Sequence, residues 1–271
     1  MTTYTQRRRQ RGATLIEVLT VVFILGLSTT VLLGLISTTA RTADRRTLED
    51  TMNARARTSV DEILLETRAA EQILASRVIG GTTYQTNDSD IVLLAPPFDP
   101  AQGIVTGTYD VIAFNFDPDA RTVTETTQRQ NPLSKRPSRT NHVIARQVES
   151  VRYTYRVRDQ FTGDGTRNWF VLRTQAREAR PSVFLNGSLV PPAEIGYSSA
   201  TRTITLSSRS ASSLDGQDVQ VLYSVDPAAN AAGLAKVNGV DVAVTLSEVD
   251  GRRIRRTFRL GGNARLRNQR T

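Results

Sequence analysis

The sequence contains no cysteine and only one histidine, His142. Without cysteine no disulfide can form, so a folded domain of this chain must hold by core packing alone. The same two absences exclude Cys nucleophiles and His/Cys metal sites, and leave a Ser-His-Asp relay only through His142. That histidine opens the apolar pair Val143-Ile144 beside a polar stretch, where a strand-edge or surface side chain accounts for it. No G-x-x-x-x-G-K-[ST] phosphate loop occurs. Asp159 and Asp164, with Gly163 and Gly165, hint at a calcium loop, but the spacing is not that of an EF-hand and a hairpin turn is the better explanation. The residues point to no enzyme and call for no cofactor or metal. Lysine is nearly absent, at Lys135 and Lys236 alone among 35 basic residues, a compositional bias without mechanistic content. Acid is missing from two stretches, the first 12 residues and everything after Arg252.

Long uncharged runs are also rare, with one exception. Between Ala13 and Ala40 the only charge is Glu17. A spanning helix needs about 20 apolar residues and a secretory signal core only about 7–15, so this run has the length of a membrane span. Arg7, Arg8, Arg9 and Arg11 precede it with no offsetting acid. The positive-inside rule places that end in the cytoplasm and the rest of the chain outside. A carboxylate within such a span costs ~3 kcal/mol on insertion scales, so Glu17 is a candidate functional residue. The competing reading is a glutamate that snorkels at the end of a signal anchor.

The segment Gly12-Ala13-Thr14-Leu15-Ile16-Glu17 resembles the prepilin cleavage motif of type IV pilins and type II secretion pseudopilins. The resemblance implies cleavage between Gly12 and Ala13 by a prepilin peptidase, and methylation of the new amino terminus at Ala13. It makes residues 1–12 a leader peptide, whose loss lowers the formal charge from +9 to about +5. The family usually has phenylalanine where this chain has Ala13. Glycine before the cut suits close approach of a protease to the backbone. In the family, the carboxylate matching Glu17 pairs with the amino terminus of a neighbouring subunit and sets axial register during assembly. Many major pilins carry proline where this chain has Gly34. Gly26 and Gly34 mark either soft or closely packed points of the helix, or tolerated small residues. The disulfide loop common in pilin heads has no counterpart here.

Beyond the span, Leu48, Met52, Ala56, Val60, Ile63, Leu64 and Leu74 keep 3–4 residue spacing, with charged residues on the opposite face. This predicts one helix over 13–76, membrane-spanning at 13–36 and amphipathic after it, ending near Ser76 before Gly80-Gly81. A span followed by a separate helix is the alternative. From Ile91 the period changes to two. Strands are expected at Ile91–Leu94, Tyr109–Phe116, Arg121–Thr126, 151–157 and Trp169–Leu172, with residues 127–141 as an exposed loop. Val240, Val242, Val244 and Leu246 face a core, Asp250-Gly251 turns the chain, and Ile254, Phe258 and Leu260 return. Residues 181–226, with Asn186-Gly187 as a hairpin signal, read either as an inserted β module or as further strands of the same sheet.

The expected fold class is α+β: a long N-terminal helix packed on an antiparallel β head built from 77–180 and 227–271. The order of elements resembles the larger minor pilins of the W-like and J-like groups. That resemblance implies an assembly subunit of a type IV pilus or of a type II secretion or competence pseudopilus. Its partners would be other pilins or pseudopilins, prepilin peptidase and the inner-membrane assembly platform. Its location would be the cytoplasmic membrane with the head outside, then a filament. The alternatives are a surface- or DNA-binding pilus-tip protein, and an unrelated single-pass anchored protein. For DNA the candidates are Arg253, Arg255 and Arg259, which equally fit the solvent face of a half-buried strand.

Overall fold

The structure is a computed structural model and describes residues 14–101, 103–105, 107–249 and 255–267. The chain divides into two compact units, residues 1–51 and 52–271. Helix α1 (Leu15–Ala69) runs through both, followed by antiparallel β-structure, so the class is α+β as the periodicity predicts. In the first unit, the helix is apolar from Leu15 to Ile36 and exposed on all sides. In the second unit a stripe is buried: Met52, Ala56, Ser59, Val60, Ile63, Leu64 and Thr67. These recur every three or four residues, the spacing that aligns side chains along one helix face.

The helix ends at Ala69, earlier than the expected Ser76. The Ala70 N–H closes the last turn on the Glu66 carbonyl at 2.9 Å, and the Glu71 N–H turns to the Leu94 carbonyl at 2.9 Å. Sheet pairing then captures the chain, and Leu74 lies in a strand. The early strands are β1 (Gln72–Leu74), β2 (Ser76–Ile79), β3 (Thr82–Gln85), β4 (Ile91–Ala95), β5 (Phe98–Asp99) and β6 (Gly103–Ile104). They are followed by β7 (Asp110–Asp117), β8 (Thr122–Gln128) and β9 (Arg139–Arg146). A five-stranded sheet has the order β1-β4-β7-β8-β9, and β2-β3 and β5-β6 are separate hairpins.

The remaining strands are β10 (Val148–Thr162), β11 (Trp169–Val171), β12 (Ser182–Leu185), β13 (Ser188–Leu189), β14 (Ile195–Ser198) and β15 (Thr203–Leu206). The last are β16 (Asp218–Val225), β17 (Gly239–Val249) and β18 (Arg255–Arg265). A six-stranded sheet has the order β13-β12-β16-β10-β17-β18, and β11-β15-β14 form a three-stranded one. Segment 181–226 therefore contributes to two sheets. Its β16 pairs directly with β10, while β14 and β15 join β11. Asn186 and Gly187 have φ of 48° and 81°, which suits the two-residue turn between β12 and β13. The Asp250-Gly251 turn and Ile254 lie outside the described residues, but Val249 and Arg255 on either side are paired.

Alternation on β10 buries Val151, Tyr153, Tyr155 and Val157 and turns Arg152 and Arg158 outward. Helix α1 covers the inner side at close range. A Cβ on Gly262 of β18 would stand 2.5 Å from Leu64 Cδ1 and 3.7 Å from Val60 Cγ1. The helix also reaches the other large sheet, where Ser59 Oγ donates to the Ile144 carbonyl at 3.0 Å. The 86–90 loop ties the two sheets together. Tyr155 Oη donates to the Asn87 carbonyl at 2.6 Å, and Arg177 holds Asp88 through bonds of 2.7 and 2.8 Å.

Residues 127–141 are not the exposed loop expected. Gln128 closes β8, Arg139 opens β9, and Asn131, Ser134 and Arg136 between them are buried. Carboxylates from distant segments draw them in. Ser134 Oγ donates to the fully buried Asp110 at 2.6 Å, and Arg136 pairs with Glu66 of the helix. Arg139 bridges Glu62 and Glu125.

Two measurements test this packing. At Gly163, a Cβ would meet the Leu214 backbone carbonyl oxygen at 1.6 Å, and no side-chain motion can relieve that. Gly163→Ala is expected to destabilise the chain by about 1–3 kcal/mol in denaturant unfolding. The Arg177 hydrogen bonds, chiefly, hold the Asp88 carboxyl below its usual range. That contribution is complete above the unfolded-state pKa of about 3.9 and vanishes as pH falls through the lower folded-state value. Arg177→Ala should therefore lower the thermal midpoint near neutrality, with the gap to the parent chain closing below about pH 4.

Candidate functional site

The candidate assembly site is the first turn of α1. Gly12 and Ala13 lie outside the described residues, and the chain is described from Thr14 onward. Glu17 stands exposed in that turn. Its Oε2 accepts the Thr14 N–H at 2.9 Å and the Thr14 hydroxyl at 3.2 Å. In return, Thr14 Oγ1 accepts the Glu17 N–H at 3.4 Å. This reciprocal pattern is a capping box, in which a Thr and a Glu three residues on satisfy donors that the helix start leaves open. The signal was present in the sequence as Thr14-x-x-Glu17, and the expectations above do not include it. Among the described residues Glu17 Oε1 has no partner, so one oxygen of the carboxylate is available to an incoming cation.

Along the rest of the span, threonines turn their polarity inward. Thr20, Thr29, Thr30 and Thr38 each donate to the carbonyl four residues back, at 2.6–2.9 Å. These bonds leave the outer surface from Leu15 to Ile36 apolar apart from Glu17 and Ser28. Gly26 and Gly34 have open space where a Cβ would stand, with nothing within 4 Å.

The other sequence candidates fall elsewhere. Arg253 lies outside the described residues. Arg255 and Arg259 are exposed on β18, where Arg255 pairs with Glu149 at 2.8 Å. His142 is an exposed residue of β9, opposite Glu125. Asp159 is buried and takes bonds from the Arg173 backbone N–H at 2.8 Å and the Tyr223 hydroxyl at 2.9 Å. Asp164 instead caps its own turn by accepting the Thr166 and Arg167 N–H groups. No group of three or more His, Cys, Asp or Glu suited to a metal ion occurs among the described residues.

An apolar helix long enough to cross a membrane, with Glu17 in its first turn and a β-rich unit after it, is consistent with a membrane-anchored α+β protein. Residues 7–33 match the family of the prokaryotic N-terminal methylation motif. This match spans the basic leader, Gly12-Ala13, the capping box and most of the apolar run. It supports a type IV pilin-like chain of the kind that prepilin peptidase processes. No curated protein and no solved structure matches the chain.

Replacing Thr14 with alanine removes the hydroxyl half of the box while keeping the Glu17 charge. The first turn should lose about 1 kcal/mol of local stability. Amide exchange at Glu17 and Val18 of the detergent-solubilised chain is expected to quicken about fivefold, with exchange in the β-rich unit unchanged.

Proposed function

We propose that this protein is a minor pilin or pseudopilin subunit. It is made as a precursor, cut after Gly12 and methylated on Ala13. It is held in the cytoplasmic membrane by residues 13 to about 36 with the β-rich unit outside, then drawn into a filament of a type IV pilus or a type II secretion or competence pseudopilus. Other pilins, prepilin peptidase and the assembly platform are its partners. The observation that carries this reading is Glu17: an exposed carboxylate one turn beyond the cleavage point, with one oxygen committed to its own helix start and the other open.

A buried carboxylate in an apolar assembly needs a counter-charge. Cleavage supplies one by creating an ammonium at Ala13 on each subunit. The capping bonds hold the Glu17 side chain back toward the helix start, so it is already oriented when a neighbour's amino terminus arrives. A low copy number fits the β-rich unit, whose 220 residues would crowd a lattice of major subunits.

The two roles of Glu17 can be separated. Glutamine at the third helical position also completes a capping box, so Glu17→Gln preserves the helix start while deleting the charge. Co-expressed with its peptidase and assembly proteins, E17Q should be processed at the parental rate, seen as loss of residues 1–12 by mass spectrometry. It should nevertheless drop out of sheared filaments by tenfold or more. Thr14→Ala, which keeps the charge, should still assemble. Normal incorporation of E17Q would reduce Glu17 to a cap, and a precursor left uncut after Gly12 would favour an unrelated anchored protein.

A further inference from the structure

Each large sheet has two edges, and three of the four are short or covered. In the five-stranded sheet β1 is three residues long. At the other edge β9 carries two register shifts, and its Ile144 carbonyl takes the Ser59 hydroxyl of α1 at 3.0 Å. In the six-stranded sheet one edge is β13, two residues long. The other is β18, which pairs with β17 over 11 residues without a shift. A regular, uncovered edge is a template for pairing with another chain, and natural proteins usually shorten, bend or cover such strands.

Register fixes which backbone groups of β18 face outward. The Leu266 N–H donates to the Asn238 carbonyl at 3.1 Å. Residues of even number on β18 therefore turn their N–H and C=O groups to β17, and those of odd number turn them away. Two odd residues agree with this. The Asn263 carbonyl accepts Arg68 Nη2 at 3.3 Å, and the Arg267 N–H donates to the Ala70 carbonyl at 3.0 Å, so the end of α1 closes the edge there. Upstream, the backbone groups of Thr257, Arg259 and Gly261 have no hydrogen-bond partner among the described residues. From Arg255 to Gly261 the open stretch is about 20 Å at 3.3 Å per residue, the length of an ordinary strand.

The flanking side chains set what fits. On the inner face Phe258 and Leu260 are only half-buried, at the margin of the core. On the outer face Arg255 and Arg259 are exposed, with Arg265 further along and Arg152, Arg156 and Arg158 two strands in. Arg255 pairs with Glu149, but Arg259 has no ion-pair partner among the described residues. These arginines stand on the face of the sheet, so they leave the backbone groups of its edge open.

We infer that the β18 edge takes up an extended segment of another protein as a seventh strand, one in which acidic and apolar side chains alternate. Strand addition draws affinity from main-chain bonds and specificity from alternate side chains. The apolar side chains cover Phe258 and Leu260, and the acidic ones meet Arg255 and Arg259 at the ~5 Å spacing of cross-strand pairs. The same charges disfavour a second copy of β18. Antiparallel self-pairs centred on Thr257 or on Arg259 each set arginine opposite arginine. The inference stands apart from filament assembly, since it uses no residue of the apolar span.

The test uses the full chain in detergent. The probe is an end-blocked peptide of about nine residues, alternating glutamate and valine and labelled for fluorescence anisotropy. In the free chain the Thr257, Arg259 and Gly261 amides should exchange about tenfold faster, or more, than those of Phe258 and Leu260. Bound peptide should slow the three odd-numbered amides by a similar factor. A peptide of the same composition with its valines and glutamates in blocks should bind about tenfold more weakly. Thr257→Pro removes an N–H that β17 does not use, so the chain should fold, as circular dichroism checks, yet bind the alternating peptide about tenfold more weakly. Arg259→Glu should weaken that peptide and favour one of alternating lysine and valine. Protected odd-numbered amides in the free chain would overturn the inference, as would failure of the alternating peptide to bind. Equal binding of the block peptide would reduce the effect to bulk charge and also overturn it. So would parental binding by a folded Thr257→Pro chain, or by Arg259→Glu.

Discussion

From Met52 to Thr67, one face of α1 is the surface against which both large sheets are packed. The five-stranded and six-stranded sheets share no strand, yet the helix touches both. Ser59 bonds to β9, and Val60 and Leu64 press on Gly262 of β18. Side chains such as Met52 and Ile63, fully buried in this stripe, each contribute about 1.5–3 kcal/mol. At its flank the helix carries Glu62 and Glu66, and these fix the 129–139 segment by engaging Arg139 and Arg136. The ion pairs do not simply add stability. Burial outweighs the attraction of Arg136 and holds the Glu66 carboxyl above its usual range, so ionising it costs free energy in the fold. What the pairs supply is position: a polar strap has one place where its cations meet buried carboxylates.

The same physics decides what could be read from the sequence. Strands with one wet face, such as 151–157 and 240–246, announce themselves by alternation, because every second side chain is buried. The helical stripe from Met52 to Leu64 is legible for the equivalent reason at a period of 3.6. The end of the helix is not. Residues 70–74 continue an apolar spacing, and pairing with β4, a partner some 20 residues away, converts 72–74 to strand, while 76–79 pair locally with β3. The buried strap at 127–141 was hidden for a related reason. Its prolines and charges look solvated until Asp110 and Glu66 are brought beside it by the topology. Strand order is equally non-local: β10 lies between β16 and β17, far later in the chain, and alternation alone does not choose neighbours.

The first turn of α1 shows a motif with two physical explanations that are compatible. Thr14-x-x-Glu17 starts a helix by satisfying its open N–H groups, and that alone would account for both residue types. It would not account for Gly12, for the basic leader or for placing a carboxylate in an otherwise uncharged 28-residue run, where glutamine completes the same box without a charge. The family match over residues 7–33 covers all three features. A capping bond is also a useful resting state for a register residue. It keeps the carboxylate partly satisfied in the membrane and oriented toward the helix start, and it is weak enough to yield to a full charge.

Arginine dominates this chain's basic residues, so the type of cation carries little information and its placement carries the argument. On β10 and β18 alternation needs polar residues on the outer face, but it does not need them to be positive. Thr154, Asn263 and Thr257 occupy equivalent positions without charge. Six like charges gathered on one face repel one another; Asp241 and Glu149 pair with Arg156 and Arg255, and Asp88 attracts Arg152 as well. Glycine on this face meets a packing need: a Cβ on Gly261 would stand 3.0 Å from the Val242 carbonyl oxygen, and one on Gly239 3.3 Å from that of Ala264. The gathering of positive charge is therefore the part of this face that strand packing does not explain.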